Sequence, residues 1–345
     1  MRKLIALTAV SALAVGLAAC RGTSPSANGS GDDSSISIMV GGLDKVIYLP
    51  AKLTEQLGYF KDAGIKVDLK SEPSGADAET IMLAGQVDGV VGFYDHTVHL
   101  QAKGKCVESV IQFADVPGEA EVVATGKAGM ITSAKDFAGK KLGVTSPGSS
   151  TDLITQALAV RGGVQPSEYT TVKAGAGATF IAAIDNGAID AGMTTDPTIA
   201  QLTSTGKAKV LLDMRTEEGT RAALGGLYPA ASVYMPCDYV AAHKPTIQKM
   251  VNAFSKTLKF INTHSAAEIA AKMPADYAGS DPSLYQKSIN DSKGMFTADG
   301  VMPADGAQTV LEILKASNPD VKAAGSIDLS KTYTTEFVTA AAAQS

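Results

Sequence analysis

The sequence has no tryptophan, and aromatic residues make up only 6% of its 345 residues. It also lacks an excess of basic residues, because 30 lysines and arginines stand against 35 acidic residues and the formal net charge is −5. The absence of a basic cluster argues against nucleic acid or an anionic lipid surface as a partner. After the N-terminal segment, no apolar run reaches the roughly 20 residues of a transmembrane helix, so no membrane-spanning segment is expected there.

Motifs that carry catalysis or hold metals are missing as well. The sequence contains no G-x-S-x-G, H-E-x-x-H or G-x-x-x-x-G-K-[ST] pattern. His96 and His99 could share one face of a helix, but no third metal ligand lies near them in sequence. We therefore expect neither a metal nor a cofactor, and we interpret the chain as a binding protein and not an enzyme.

The N-terminal segment has the pattern of a secretory signal. A basic head, Met1 to Lys3, precedes the uncharged apolar run Leu4 to Leu17, and Leu-Ala-Ala-Cys ends at Cys20. This last motif resembles the bacterial lipobox, in which the cysteine is lipidated. The alternative is an ordinary signal peptide with an incidental cysteine. We predict that residues 1–19 are removed and that residues 20–35, rich in Ser, Gly, Asn and Asp, form a flexible tether.

Short apolar strands alternate with helices in the part that follows. This alternation indicates right-handed crossover units and a mostly parallel sheet, so the fold class is α/β. A recurring phrase, at 83–90 and again at 184–191, favours two α/β halves over a single barrel. Strands are predicted at 36–40, 66–69, 89–93, 107–113, 141–144, 169–173 and 189–193, with helices at 78–84, 151–161 and 178–186.

Towards the C-terminus, helices are predicted to dominate. Apolar residues recur at helical spacing from Thr246 to Asn262, and Pro245 stands at the helix start, where its missing N–H costs nothing. A second amphipathic helix is predicted from Ala304 to Ser317. The face expected to be buried in the longer helix consists of Ile247, Met250, Val251, Phe254, Leu258 and Ile261.

An ordered set of short motifs resembles the solute-binding proteins of bacterial ABC importers, in the SsuA/THI5-like branch for nitrate, sulfonates, taurine and thiamine-pyrimidine precursors. The motifs are Gly58-Tyr59-Phe60 with Gly64-Ile65, Gly85-Gln86-Val87-Asp88, Phe137-Ala138-Gly139-Lys140-Lys141, Gly148-Ser149-Ser150-Thr151-Asp152, Gly187-Ala188-Ile189-Asp190 and Asp196-Pro197. The resemblance implies a two-lobed, type II periplasmic-binding-protein-like fold with the solute enclosed between the lobes. Lobe I would comprise residues 36–115 and 232–345, and lobe II residues 116–231. Fungal pyrimidine synthases share this fold, but they carry a cysteine-rich motif that this chain lacks.

Ligands of open parallel sheets bind beyond the carboxyl ends of the strands. The loops that follow the predicted strands therefore supply the candidate site. Tyr228 is added because it lies at the expected return crossing between the lobes. The full set of candidate ligand residues is Asp44, Tyr48, Ser74, Gly75, Asp77, Tyr94, Asp95, His96, Ser149, Ser150, Thr151, Asp196 and Tyr228.

Several of these residues allow a structural as well as a functional interpretation. Residues 149–151 either bind an anion at a helix start or simply cap the helix. Asp95 and His96 are either a hydrogen-bonded pair facing the cleft or a helix cap followed by a surface histidine. Tyr94 offers a ring and a hydroxyl for a planar solute. Lys45 is expected to be solvated, and the aspartates around the predicted mouth weaken the case for an anionic solute.

The expected function is that of an exported, lipid-anchored solute-binding component of an ABC importer, monomeric and partnered by a permease and its ATPase. A sulfonate, taurine or nitrate is the favoured solute. The alternatives are a pyrimidine or other planar or zwitterionic solute, or a sensing lipoprotein that reports to a membrane receptor. Cys106 and Cys237 are either a disulfide, as an exported protein permits, or two buried thiols.

Replacing the lipobox cysteine tests the membrane anchor. Cys20→Ser should move the protein from the membrane fraction to the soluble exported fraction, because the acyl chains that hold it can no longer be attached. Fractionation with metabolic labelling by a radioactive fatty acid measures both effects. An unlabelled wild-type protein, or a labelled Cys20→Ser protein that stays on the membrane, would contradict the prediction.

Overall fold

The computed structural model describes residues 35–343, and these residues form two five-stranded sheets with helices packed on them. The N-terminal signal, Cys20 and all but the last residue of the tether lie outside the described residues. The strands are β1 (Ser35–Val40), β2 (Lys66–Ser71), β3 (Gly89–Phe93), β4 (Val107–Gln112), β5 (Glu119–Ala124), β6 (Lys141–Val144), β7 (Thr170–Lys173), β8 (Ala191–Thr195), β9 (Ala208–Asp213) and β10 (Ala231–Pro236).

The two sheets share one topology. The first has the order β2-β1-β3-β10-β4 and the second β7-β6-β8-β5-β9. In each, three strands are parallel, while β10 runs antiparallel to β3 and β4, and β5 runs antiparallel to β8 and β9. We call the first sheet with its packed helices lobe I and the second lobe II. The chain passes from lobe I to lobe II between β4 and β5 and returns between β9 and β10.

Fifteen α-helices are present among the described residues, together with seven short 3-10 helices. The α-helices are α1 (Leu49–Gln56), α2 (Tyr59–Asp62), α3 (Gly75–Leu83), α4 (Asp95–Ala102), α5 (Ser150–Arg161), α6 (Ala178–Asp185), α7 (Thr198–Ser204), α8 (Glu217–Leu224), α9 (Cys237–Ala242), α10 (Lys244–Thr263), α11 (Ala266–Ala270), α12 (Pro282–Ser292), α13 (Gly306–Ser317), α14 (Pro319–Ala323) and α15 (Glu336–Ala342).

Helix α10 shows how apolar spacing becomes packing. The six apolar residues predicted to share one face are all fully buried. Among them, Phe254 packs edge-on against Phe60 and Phe113, with ring centroids 5.2 and 4.9 Å apart. Full burial of one such side chain contributes roughly 1.5–3 kcal/mol, so this face fastens α10 to lobe I.

Most predicted elements are present, with shifts of a few residues. The strand predicted at 189–193 begins two residues later and ends at Thr195. Helix α13 begins at Gly306, two residues after its predicted start. Two C-terminal helices contact both lobes, since α13 packs on α4 and α5, and α12 packs on α7.

No helix among residues 35–343 combines the length and apolar character needed to cross a bilayer. A disulfide does join Cys106, which precedes β4, to Cys237, which follows β10, with their Cα atoms 5.5 Å apart. The backbone N–H of Cys237 also donates to the carbonyl of Cys106 at 3.2 Å. The bridge therefore fastens two neighbouring antiparallel strands at the edge of the first sheet.

Removing this bridge should destabilise the protein without changing its fold. The two cysteines are 131 residues apart in sequence, so in the chain-entropy model the cross-link restricts a long loop of the unfolded chain. We expect the variant Cys106→Ala/Cys237→Ala to lose about 2–5 kcal/mol of unfolding free energy in urea titrations. The control is wild-type protein in which the bridge is chemically reduced, and it should lose the same amount of unfolding free energy. A loss below about 1 kcal/mol would contradict the account.

Candidate functional site

A buried carboxylate lies where the two lobes meet. Asp95 opens α4 at the carboxyl end of β3, and its side chain is fully buried. Its Oδ1 accepts a hydrogen bond from Ser150 Oγ of α5, and its Oδ2 accepts one from the hydroxyl of Tyr228, each at 2.8 Å. Burial and Asp95 together raise the pKa of Tyr228 well above its usual value, which keeps this hydroxyl a donor. Asp95 thus joins lobe I, lobe II and the return crossing.

The start of α5, predicted to hold an anion, already contains two carboxylates of the protein. One is Asp95, through Ser150, and the other is Asp152, whose Oδ2 accepts the N–H of Gly148 at 2.8 Å. The positive end of a helix favours negative charge at this place. An anionic solute would therefore compete with side chains that are already paired there.

The neighbouring hydroxyls of this turn form hydrogen bonds within the turn itself. Ser149 Oγ donates to the carbonyl of Ser146 at 2.6 Å, and Thr151 Oγ1 accepts the N–H of Thr145 at 3.0 Å. Both side chains are buried. Their bonds favour the structural interpretation of Ser149 and Thr151, whereas Ser150 alone reaches across to lobe I.

A second pair of contacts crosses between the lobes at the start of α3. Ser74 caps this helix by accepting the N–H of Asp77 at 3.1 Å, and its Oγ lies 3.1 Å from Ser146 Oγ of lobe II. Asp77 also lies 3.6 Å from the amine of Lys173. The predicted site residues Ser74 and Asp77 are therefore brought to the interface between the lobes.

His96 is fully buried, so its interpretation as a surface histidine is wrong. Its Nδ1 lies 2.5 Å from Glu79 Oε2, while its Nε2 is 4.0 Å from Asp95, too far for a hydrogen bond. Burial lowers the pKa of His96, but the hydrogen bond and charge of Glu79 outweigh it and raise the pKa overall. A Cβ added at Gly75 would stand 3.0 Å from His96 Nε2, so Gly75 lets the two elements approach closely.

Lys45 is buried, which corrects the expectation that it is solvated. Its Nζ donates to the carbonyls of Gly41 and Pro73 at 2.7 and 2.8 Å. Burial lowers the pKa of Lys45 to about 8, against the raising effects of Glu119 and Asp44. Its ammonium group fixes the loop after β1 against the loop after β2. Tyr48, three residues further on, is also buried, and burial together with Glu119 and Asp95 raises the pKa of its hydroxyl.

Glu119, which sequence analysis did not select, is the second buried carboxylate at this interface. It opens β5 opposite Thr195, the last residue of β8, and is only 2% exposed. Gly118 before it has φ +67°, and a Cβ there would lie 2.3 Å from Met295 Sδ, so glycine is required for this turn. Burial, followed by Asp95, raises the pKa of Glu119 well above its usual value.

Two other predicted ligand residues are buried and bonded to distant parts of the chain. Asp196 is buried, and its carboxylate accepts hydrogen bonds from Arg215 Nη1 and Ser292 Oγ, both at 2.9 Å. Tyr94 is buried, and its hydroxyl lies 2.6 Å from Thr332 Oγ1 while its ring packs on Tyr333. Both side chains are thus hydrogen-bonded within the protein, and their roles as ligand contacts stay predictions.

An open cleft of about 790 Å³ lies between the lobes. We call it the outer cleft. It borders the buried Lys45, and its three carboxylates, Asp44, Asp276 and Asp281, are exposed. Its other walls come from the β7–α6 loop, from α7 and from the segment that leads into α12. The lining includes Leu43, Asp44, Lys45, Gly177, Thr198, Gln201, Asp276, Tyr277, Asp281 and Tyr285.

Removing one hydroxyl tests whether Asp95 holds the lobes together. Ser150→Ala leaves a buried carboxylate with one donor fewer, and hydrogen bonds to charged groups contribute about 1.5–3 kcal/mol. We expect the population to shift toward an open form by roughly one to two orders of magnitude, seen as a larger radius of gyration in solution scattering.

Thr155→Val is the matched control, because Thr155 Oγ1 donates only within α5, to the carbonyl of Thr151 at 2.7 Å. It should leave the radius unchanged. Equal radii for wild type and Ser150→Ala would show that Asp95 does not hold the lobes.

Comparison with known proteins agrees with this architecture. A protein of Bordetella bronchiseptica RB50 is 33% identical, with a TM-score of 0.86 over 91% of this chain and 98% of that one. The alkanesulfonate-binding protein SsuA of Xanthomonas axonopodis pv. citri has 18% identity and a TM-score of 0.65, over 88% of this chain and 98% of that one. The nitrate-binding protein NrtA of Synechocystis PCC 6803 has 12% identity and a TM-score of 0.68, over 90% and 89% of the two chains. The predicted two-lobed α/β fold is confirmed.

Curated sequence relatives carry a different name. The 4-amino-5-hydroxymethyl-2-methylpyrimidine phosphate synthase of Legionella pneumophila is 29% identical over 160 residues, which are 46% of this chain and 49% of that protein. A protein of the same name from Aspergillus parasiticus is 26% identical over 230 residues, 64% of each chain. The matched region thus spans about half of the Legionella protein. The family model described as NMT1/THI5 like matches residues 48–267, and the chain belongs to this family.

Proposed function

We propose that this protein is the solute-binding component of an ABC importer and captures a small solute by closure of its two lobes. The observation that carries the proposal is the buried bridge from Asp95 to Ser150 and Tyr228, which is formed only when the lobes are together. Closure around a ligand is the motion typical of two-lobed binding proteins. Polar groups gathered at the carboxyl ends of both sheets provide the contacts that a small polar solute needs.

The class of solute follows from the charges at this interface. The expectation of a sulfonate or nitrate rested on a free helix start at α5, and carboxylates of the protein lie at that start. Asp95 and Glu119 are buried close by. These groups favour the zwitterionic or donor-bearing alternative over a simple anion, because buried carboxylates accept hydrogen bonds.

We further propose that the protein binds and does not catalyse, although relatives are named as synthases. The cysteine-rich motif of the fungal synthases is absent, and both cysteines among the described residues are joined in the disulfide. Native mass spectrometry of the protein with its solute should return the solute chemically unchanged after long incubation. A product of altered mass would favour the enzymatic role.

The lipid on Cys20 would keep this binder close to its permease. A tether of about fifteen polar residues reaches roughly 20 Å, which confines the protein near the membrane and raises its local concentration at the permease. The permease and its ATPase are the proposed partners. A role in sensing would use the same lobes with a receptor in place of the permease.

A screen of small solutes tests the binding function. The panel contains nitrate, alkanesulfonates, taurine, amino acids, amines and pyrimidines. At a 100-fold excess over its dissociation constant, the correct solute stabilises the folded state by about 2.7 kcal/mol, which raises the melting temperature. Solution scattering at saturation should then show a smaller radius of gyration. Stabilisation without compaction would contradict closure, and no stabilisation by any member would contradict the solute-binding role.

A further inference from the structure

Glu119 is a buried acid without a partner for one of its oxygens. Its Oε2 is inaccessible to solvent and receives no hydrogen bond among the described residues. A buried polar atom without a hydrogen bond costs free energy, which a hydrogen-bond donor on a ligand would recover. β5 runs antiparallel to β8, so the start of β5 lies at the carboxyl edge of the second sheet. This is the edge at which ligands of such sheets bind.

The charged neighbours of Glu119 do not neutralise it. Among the charged groups, Asp95 raises the pKa of Glu119 the most. Both oxygens of Asp95 already accept hydrogen bonds, from Ser150 and Tyr228. Among residues 35–343, Lys45 is the one cation that lowers the pKa of Glu119, and its ammonium group donates to two backbone carbonyls and forms no ion pair with Glu119 within 4 Å. Two buried acids, Asp95 and Glu119, therefore lie close to a single ammonium group, that of Lys45.

The outer cleft has the same sign of charge. Its lining contains three exposed carboxylates, Asp44, Asp276 and Asp281. Lys45 is the one basic residue among its described lining residues. Tyr277 and Tyr285 add aromatic rings to the wall. Such a cleft concentrates solutes that carry a positive charge and repels simple anions.

We propose that the solute carries a protonated amine, and that Glu119 at the start of β5 is the acceptor that binds this amine when the lobes close. The inference rests on the proposed solute-binding function and specifies the chemical class of its ligand. An ammonium group placed at Oε2 supplies the missing hydrogen bond and balances the excess negative charge beside Asp95. The acidic outer cleft leads such a solute to the interface.

A second glutamate of the same strand provides a matched comparison. Glu121 lies two residues along β5, is fully buried, and both of its oxygens lack hydrogen bonds among the described residues. It faces the same side of the strand, but it is paired opposite Met193 in the middle of the second sheet, away from the carboxyl edge. Glu121→Gln therefore alters a buried acid of lobe II away from the proposed amine site, and the charge of Glu121 affects the pKa of Glu119 less than Asp95 or Lys45 does.

The test uses pairs of probes that differ only in the amine. They are taurine against ethanesulfonate, β-alanine against propionate, and propylamine against propanol, each measured by thermal shift and calorimetry on the full exported chain. We expect amine members to bind and their partners to bind at least roughly 30-fold more weakly, as for loss of a buried charge pair. Glu119→Gln should weaken amine binding by the same factor, whereas Glu121→Gln should leave it unchanged.

Each contrary outcome has a separate meaning. If the members without an amine stabilise and compact the protein equally well, the amine inference fails while the solute-binding function stands. If Glu119→Gln retains affinity, Glu119 acts as a protonated donor, which a glutamine amide can replace, and the inference is overturned. If no amine probe stabilises the wild-type protein but nitrate or a pyrimidine without an amino group does, the inference fails and the function stands. If no probe and no member of the wider panel stabilises it, both fail.

The pH dependence provides a further readout with a defined sign. An ammonium pairs with the ionised form of Glu119, whose pKa burial raises well above its usual value. Amine affinity should therefore fall as the pH is lowered through the interval in which Glu119 takes up its proton. The groups that face Glu119 are Lys45, Tyr48, Asp95, Tyr228 and, on its own strand, Glu121. Affinity that rises over this interval would indicate binding to the protonated acid and would contradict the inference.

Discussion

The buried carboxylate of Asp95 is the interaction on which the closed arrangement depends. A charge in a protein interior is tolerated only when hydrogen bonds replace its lost hydration, and here the two donors come from different parts of the chain. Ser150 belongs to lobe II and Tyr228 to the return crossing. Separation of the lobes would break one bond and return the carboxylate to water. Both hydrogen bonds of Asp95 can therefore form only when the lobes are together, which favours this closed arrangement over other ways of packing the lobes.

The same charge explains the character of the interface. With Asp95 and Asp152 at the start of α5, the positive end of that helix is used within the protein and is not left for an anion. Glu119 adds a second buried acid at the edge of the lobe II sheet. The ammonium group of Lys45 donates hydrogen bonds to backbone carbonyls of two loops. Two buried acids at the interface between the lobes favour a positively charged, hydrogen-bond-donating group on the proposed solute.

Much of the fold follows from residue spacing alone. Helix α10 has the predicted buried face, and the parallel strands of both sheets were found from short apolar runs between helices. The strands β5, β9 and β10 were not among those predicted from apolar runs, and β5 and β10 lie at the two crossings between the lobes, which only the family resemblance implied. Glu119 was missed because it opens β5, although two glutamates at alternate positions of an otherwise apolar segment are an unusual pattern for a buried strand. Predicted loops located Asp95, Ser150 and Tyr228 but not their mutual bonds, which depend on how the lobes meet.

A crystal structure of the protein with the solute it retains on purification from its natural host tests the central claim most directly. The account predicts a solute enclosed between the lobes, with a nitrogen atom about 3 Å from Glu119 Oε2 and the bonds from Asp95 to Ser150 and Tyr228 intact. A solute that presents an anionic or carbonyl oxygen to Glu119, or one bound outside the interface between the lobes, would contradict it.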